Sequence, residues 1–178
     1  MFQSDIRTGD LLHCRSNGIL GRAIRSFTSG EVNHTAVAIV VDGFLLIVDA
    51  QKDGVFPRSY HHWIKEYNYD FVVTRSPYLI NEEVFRPRVL SQCGSPYDKE
   101  LLLKDHALNE LRKKFGKQAV IDIKFRGNGK FVCSELAMWS HGEPNAHEFT
   151  PQMVRDHNDR SNWKEIISRK EMDLKYRK

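Results

Sequence analysis

The chain is poor in cysteine. Its 178 residues hold three, Cys14, Cys93 and Cys133. The count is odd, there is no CxxC, and no histidine pair sits at zinc-finger spacing, so neither a disulfide framework nor a structural zinc site is expected. Free thiols fit a reducing compartment. Long apolar runs are also missing. Ala36 to Val41 and Phe44 to Val48 are far too short to span a bilayer, so no transmembrane segment is expected. The opening "MFQSDIRTGDLLHC" has no basic segment followed by an apolar run, so a signal peptide is not expected and the cytoplasm is the expected location. The net charge of +4 is small, and no basic-aromatic interleaving accompanies it. Nucleic acid is therefore not an expected partner. Internal repeats and low-complexity linkers are absent.

What remains is an ordinary globular composition, 40% hydrophobic and 28% charged. The length suits one domain over residues 1–178 with a single core. Asp10 to Cys14 reads as a short strand. Ile19, Leu20, Ala23, Ile24 and Phe27 fall at helical spacing and predict a helix ending near Gly30. Two apolar runs around Asp42-Gly43 predict a hairpin, and "FVVTR" (Phe71 to Arg75) a third strand. "FPRSYHHWIKEYNYD" reads as a loop plus a short helix. "LINEEVFRPRVLSQCG" reads as a helix interrupted near Pro87 and closed by Gly94. A further helix is expected before Gly116 and a strand at Ala119 to Phe125. Thr150 with Pro151 reads as a helix start. In the tail, 156–178, Trp163, Ile166, Ile167 and Leu174 suggest a docked amphipathic helix. Strands fall mostly before Cys133, and helices are interspersed rather than alternating. The expected class is α+β, with a mainly antiparallel sheet packed by helices.

The hairpin carries two residues that a core does not need. With Asp42 and Gly43 at the turn, Val41 faces Phe44, and His34 and Asp49 fall on one face as diagonal neighbours. An odd-length turn would put them on opposite faces. A lone histidine at a strand edge is more often a satisfied polar residue. The pair on one face, flanked by small Ala36 and Ala38, favours function and leaves room for another element to approach.

Cys133 is the candidate for that element. It follows the extended pair Phe131-Val132 and opens a helical pattern, with Ser134 and Glu135 suited to a first turn. A helix N-terminus favours thiolate through its dipole and free backbone donors. Those donors, the Cys133 N–H among them, suit an oxyanion hole. The constellation is a nucleophile (Cys133), a base and acid (His34) and an orienter (Asp49). Cys14 and Cys93 lack that setting and read as structural.

In order along the chain, "GDLL", "NHTAVAIV", "IVDA", "VVTR", "GSPYD", "FVCSEL" and "FTPQMV" resemble the circularly permuted branch of the NlpC-type papain-like cysteine hydrolases, the YiiX-like proteins. The resemblance covers about residues 6–155. It implies a papain-like, circularly permuted fold in which the histidine precedes the cysteine, as His34 precedes Cys133. His34 matches the histidine of a "SHVGIV"-like strand, Asp49 the acid of a "V-E-A" segment, and Cys133 the nucleophile of "CSEL". It also implies that Tyr97 lies near the substrate cleft. Two departures stand out. Asp49 is one methylene shorter than the family's glutamate, and the charged stretch from Lys99 to Lys130 is a candidate lid. Asp98 reads as a turn or cap residue.

His61 and His62 are adjacent, with no third ligand placed by spacing, and read as surface or helix-start residues. His141 and His147 read as loop residues after the Cys133 helix. No metal and no cofactor is expected. The expected function is a cysteine hydrolase or amidase acting on a peptide, isopeptide or cell-wall peptide through a thioacyl-enzyme. The alternatives are a lipid-acyl thioesterase or acyltransferase on the same site, or a catalytically idle binding module.

Overall fold

The computed structural model describes residues 5–16, 22, 25, 30–67, 70–98 and 130–170. The expected helix before Gly30 lies almost wholly outside the described residues, as do the helix and strand expected within 99–129 and the candidate lid.

The class is α+β. Strands β1 (Leu11–Arg15), β2 (His34–Val41), β3 (Phe44–Gln51), β4 (Gly54–Ser59), β5 (Asp70–Arg75) and β6 (Lys164–Ser168) form one sheet in the order β4-β3-β2-β1-β5-β6. Every neighbouring pair in it is antiparallel. Among the described residues, the helices α1 (Tyr60–Tyr67), α2 (Glu82–Leu90), α3 (Cys133–Ser140) and α4 (Pro151–Arg160) pack on the sheet. No helix among the described residues is long and apolar enough to cross a membrane.

Period-two alternation sorts the strands into two cores. Leu11, Val37, Ile39 and Val48 face α2, α3 and α4, where they meet Phe85, Val89, Leu136 and Val154. Leu12, Ala36, Ala38 and Ile47 face the other way, toward Trp63 of α1. The β2–β3 turn is the expected one. Asp42 and Gly43 have φ of 50° and 78°, the left-handed pair that a two-residue hairpin requires. Val41 pairs with Phe44 and Val37 with Val48.

Three elements differ from the sequence reading. β4 was not expected, because Pro57 lies in its middle. It is tolerated since β4 is the last strand of the sheet, where a missing N–H costs no ladder bond. The tail's Lys164–Ser168 is a strand, not part of a docked helix. Ile167 is buried opposite Val73, so the β-branched pair Ile166-Ile167 completes the sheet beside β5. Residues 171–178 lie outside the described residues. Pro87 does not interrupt α2, which runs through it to Leu90 from an Asn81 cap that accepts the Glu83 N–H at 3.1 Å.

The outer edge of β4 is partly covered. The Val55 N–H donates to the Ser95 carbonyl at 2.9 Å, and the Gly94 N–H to the Val55 carbonyl at 2.8 Å. Gly54 makes this close approach possible. Its φ is +119°, and a Cβ there would lie 2.8 Å from the Ser95 oxygen. Gly54→Val is expected to lower stability by about 1–3 kcal/mol. Urea denaturation checks this, and a midpoint equal to wild type would contradict the close packing of this edge.

Candidate active site

The site lies where β2 and β3 part. Their pairing runs from Val41↔Phe44 to Val37↔Val48. Past it, the start of β2 and the end of β3 carry polar side chains. His34 Nε2 lies 3.1 Å from Asp49 Oδ2. This is the diagonal contact that the hairpin register predicts. Asp49 is wholly buried and His34 is 7% exposed, so the carboxylate is shut off from bulk water and a small part of His34 reaches it.

A buried carboxylate needs donors on both oxygens. Oδ2 accepts from Gln51 Nε2 at 2.8 Å and Trp63 Nε1 at 2.9 Å, besides His34. Oδ1 accepts from Arg58 Nη1 at 3.0 Å. Gln51 Nε2 also lies 3.3 Å from His34 Nε2. Both nitrogens donate to the same carboxylate oxygen, so their proximity is that of two donors converging on one acceptor. His34 Nε2 is thereby committed to Asp49, and Nδ1 is the ring nitrogen left for a third group.

That group is Cys133, whose sulfur shares a hydrogen bond with His34. Cys133 is the first residue of α3, after the extended cap residue Val132. Two backbone N–H groups donate to the sulfur, from Thr35 and from Ser134. The strand geometry explains the first. The Ala38 N–H donates to the carbonyl of Asp10, the residue just before β1, so even-numbered amides of β2 point at β1 and odd-numbered ones at β3. Thr35 lies beyond the last β2–β3 pair, and its N–H turns to the thiol. Cys133 arrives with the α3 core while Asp49 lies on the Trp63 side. They meet at the open end of the ladder because His34 stands between them.

The electrostatics follow from this packing. Burial alone would push the Cys133 thiol up, but the His34 charge, the His34 hydrogen bond and the two N–H donors hold it below its ordinary value. Burial would lower His34, yet the Cys133 thiolate and Asp49 raise it to about 10. Asp49, despite burial, is held below the ordinary carboxylate value by His34, Trp63 and Gln51. All three directions favour the charged form: a lowered thiol, a raised imidazole and a lowered carboxyl in a row.

The other cysteines differ. Cys14 is buried in β1, donates to the Leu12 carbonyl at 3.4 Å, and is raised well above its ordinary value by burial. Cys93 lies in the turn after α2 and is also raised by burial. Tyr97 forms an isolated bridge with Phe131, two residues ahead of Cys133. Asp98, read as a turn or cap residue, is buried. It is 1% exposed, and its N–H donates to the Phe131 carbonyl at 3.1 Å. His61 and His62 lie in α1, where His62 pairs with Glu66 at 3.2 Å. His141 follows the Cys133 helix as expected and is the C-cap of α3. It packs against Phe85 and Trp163, and burial lowers it to about 4. His147 lies in a short 3-10 helix.

Sequence reasoning missed Arg58, Trp63 and Gln51. Gln51 was within reach, since it shares the period-two face of Asp49. Arg58 was hidden in the unrecognised β4. Trp63 was read only as part of a helix.

No family model matches the chain, and no curated protein matches it. The structure is similar to a solved one described as the metalloprotein YiiX from Escherichia coli O157:H7, DUF1105. The two share 15% identity over 94% of this chain and 92% of that one, with a TM-score of 0.53. The likeness shows a common fold. The word metalloprotein belongs to that protein. Here both Asp49 oxygens accept from protein donors, His34 Nε2 bonds to Asp49, and His34 and Cys133 share a hydrogen bond. Among the described residues no group of three or more His, Cys, Asp or Glu side chains could hold a metal ion. The residues of this site do not fit a resident metal.

Proposed function

We propose that the protein is a cysteine hydrolase that cleaves an amide bond through a thioacyl-enzyme. The observation that carries this reading is the hydrogen-bonded row of Cys133, His34 and Asp49. The Cys133 thiolate attacks the acyl carbon. The carbon–nitrogen bond breaks as His34 gives its Nδ1 proton to the leaving amine. Water then attacks the thioester, His34 takes its proton, and the acid product leaves as the thiolate–imidazolium pair is restored. Asp49 fixes the ring orientation and tautomer and stays ionised throughout. The backbone N–H of Cys133, at the start of α3, is the donor we assign to the developing oxyanion. Tyr97, carried beside Phe131, is assigned to the substrate cleft.

The order of His34 before Cys133 supports a circularly permuted papain-like arrangement. The preferred substrate is a peptide or isopeptide. Three free thiols support a reducing compartment such as the cytoplasm for this activity. A thioesterase or acyltransferase would share the acylation step and differ in the donor it accepts.

An activated ester, p-nitrophenyl acetate, tests the step directly. One equivalent of p-nitrophenol is expected in a burst, with an acetyl adduct on Cys133 by peptide mass spectrometry and none in Cys133→Ala. Acetylation spread evenly over the three cysteines would contradict the reading. Turnover of acyl-amide against acyl-thioester donors then separates amidase from thioesterase.

A further inference from the structure

We propose that Arg58 is a positioning residue that holds the Asp49 carboxylate in place, and through it the His34 ring, from the side away from Cys133. The inference rests on the function proposed above. Three donors crowd onto Asp49 Oδ2, and Arg58 takes Oδ1 at 3.0 Å. A carboxylate held on one oxygen can turn about its own axis. A cation on the other oxygen prevents this, and it leaves Oδ2 aimed at His34 Nε2.

Arg58 is itself fixed. Its Nη2 lies 2.9 Å from Asp53 Oδ2 and its Nε 3.5 Å from Glu66 Oε2. Its guanidinium sits 5.7 Å from the Phe56 ring centre and 5.3 Å from that of Tyr67. The side chain is 11% exposed. All three guanidinium nitrogens are engaged on three carboxylates, which a lysine could not reproduce.

The charges alternate along the row: thiolate, imidazolium, carboxylate, guanidinium. Around Asp49 stand His34 from β2, Arg58 from β4, Tyr67 from α1, Cys14 from β1 and Cys133 from α3. Burial keeps Tyr67 and Cys14 neutral at ordinary pH. Among the described residues, His34 and Arg58 are the two cationic side chains in contact with Asp49. Without Arg58, Asp49 takes up a proton at a higher pH. His34 then loses its counter-ion, and Cys133 reverts to thiol.

The experiment is the pH dependence of iodoacetamide alkylation at Cys133 in the full chain. In Arg58→Met, whose chain still packs on Phe56 and Tyr67, the low-pH midpoint of the reactivity is expected to rise by about one unit or more. Arg58→Lys, which keeps the charge, recovers most of that shift. In an Asp49→Asn background, Arg58→Met adds no further shift, which a merely structural role would not produce. Should Arg58→Met fail to fold, Arg58→Gln gives the same charge-removed comparison against Arg58→Lys. A profile for the charge-removed variant that superposes on wild type overturns the proposal and leaves the Cys133–His34 reading intact. So does an undiminished shift in the Asp49→Asn background. A wild-type Cys133 that reacts no faster than an ordinary thiol removes both.

Discussion

Asp49→Ala is expected to cost about 3–5 kcal/mol of folding stability. The carboxylate is wholly buried and accepts four hydrogen bonds. Its removal leaves the Arg58 guanidinium without its inner partner and takes the acceptor from the buried Trp63 N–H. It also opens a small void against Trp63, which has no exposed surface. Asp49→Asn keeps the shape and one acceptor and is expected to lose less. The urea midpoint should fall with the slope unchanged. A loss below about 1 kcal/mol would mean that the buried network contributes little to stability.

The same groups set the response to pH. Asp49 is depressed below 3.8, so its contribution is present above that value and is lost as pH falls through the folded one. His34 is raised to about 10 from 6.5, so its contribution is complete below 6.5 and lost as pH rises toward 10. His13, buried against Thr74 and Asn158, is lowered to about 3, and His141 to about 4. Both stay neutral when folded and take up a proton on unfolding below about 6.5, so both destabilise the fold progressively in acid.

His34→Ala is expected to reduce alkylation of Cys133 at pH 6 by on the order of 100-fold. With the imidazolium gone, the forces left on the thiol are burial, which raises it from its ordinary 9.0, and the two N–H donors with the helix dipole, which lower it. At pH 6 a thiol near its ordinary value is about one part in a thousand thiolate, by the titration relation alone. The donors and dipole recover part of this, which gives the smaller figure. Cys14 and Cys93 serve as internal references, since burial raises both.

The parts of the site legible in the sequence were those governed by local rules. Asp42-Gly43 set the turn, the turn set the register, and the register put His34 and Asp49 on one face. Thr150 and Pro151 started α4 as expected, with the Thr150 hydroxyl accepting the Met153 N–H at 3.2 Å. Cys133 opened α3 as expected, after the extended cap residue Val132 and without a side-chain cap bond. What escaped depended on tertiary context. β4 is a strand because it lies at a sheet edge, where Pro57 is harmless. β6 is a strand because β5 offers Val73 to Ile167. The spacing of Trp163, Ile166 and Ile167 fits a helix as well, so periodicity could not decide it. Arg58 and Trp63 reach Asp49 from separate elements, and no spacing rule connects them. His141 looked like a loop histidine because nothing local signals the Phe85 and Trp163 rings that enclose it.

The central claim is that a thiolate–imidazolium pair exists at Cys133 and His34. The most direct measurement is the rate of iodoacetamide alkylation at each cysteine against pH, by peptide mass spectrometry, in wild type and His34→Ala. The small reagent suits a thiol with little exposed surface. The expected result is that Cys133 alone reacts fast well below pH 8 in wild type, and that His34→Ala moves its profile toward that of an ordinary thiol. If Cys133 follows an ordinary thiol profile in both proteins, the pair does not exist, and the site is a buried polar cluster of an idle binding module.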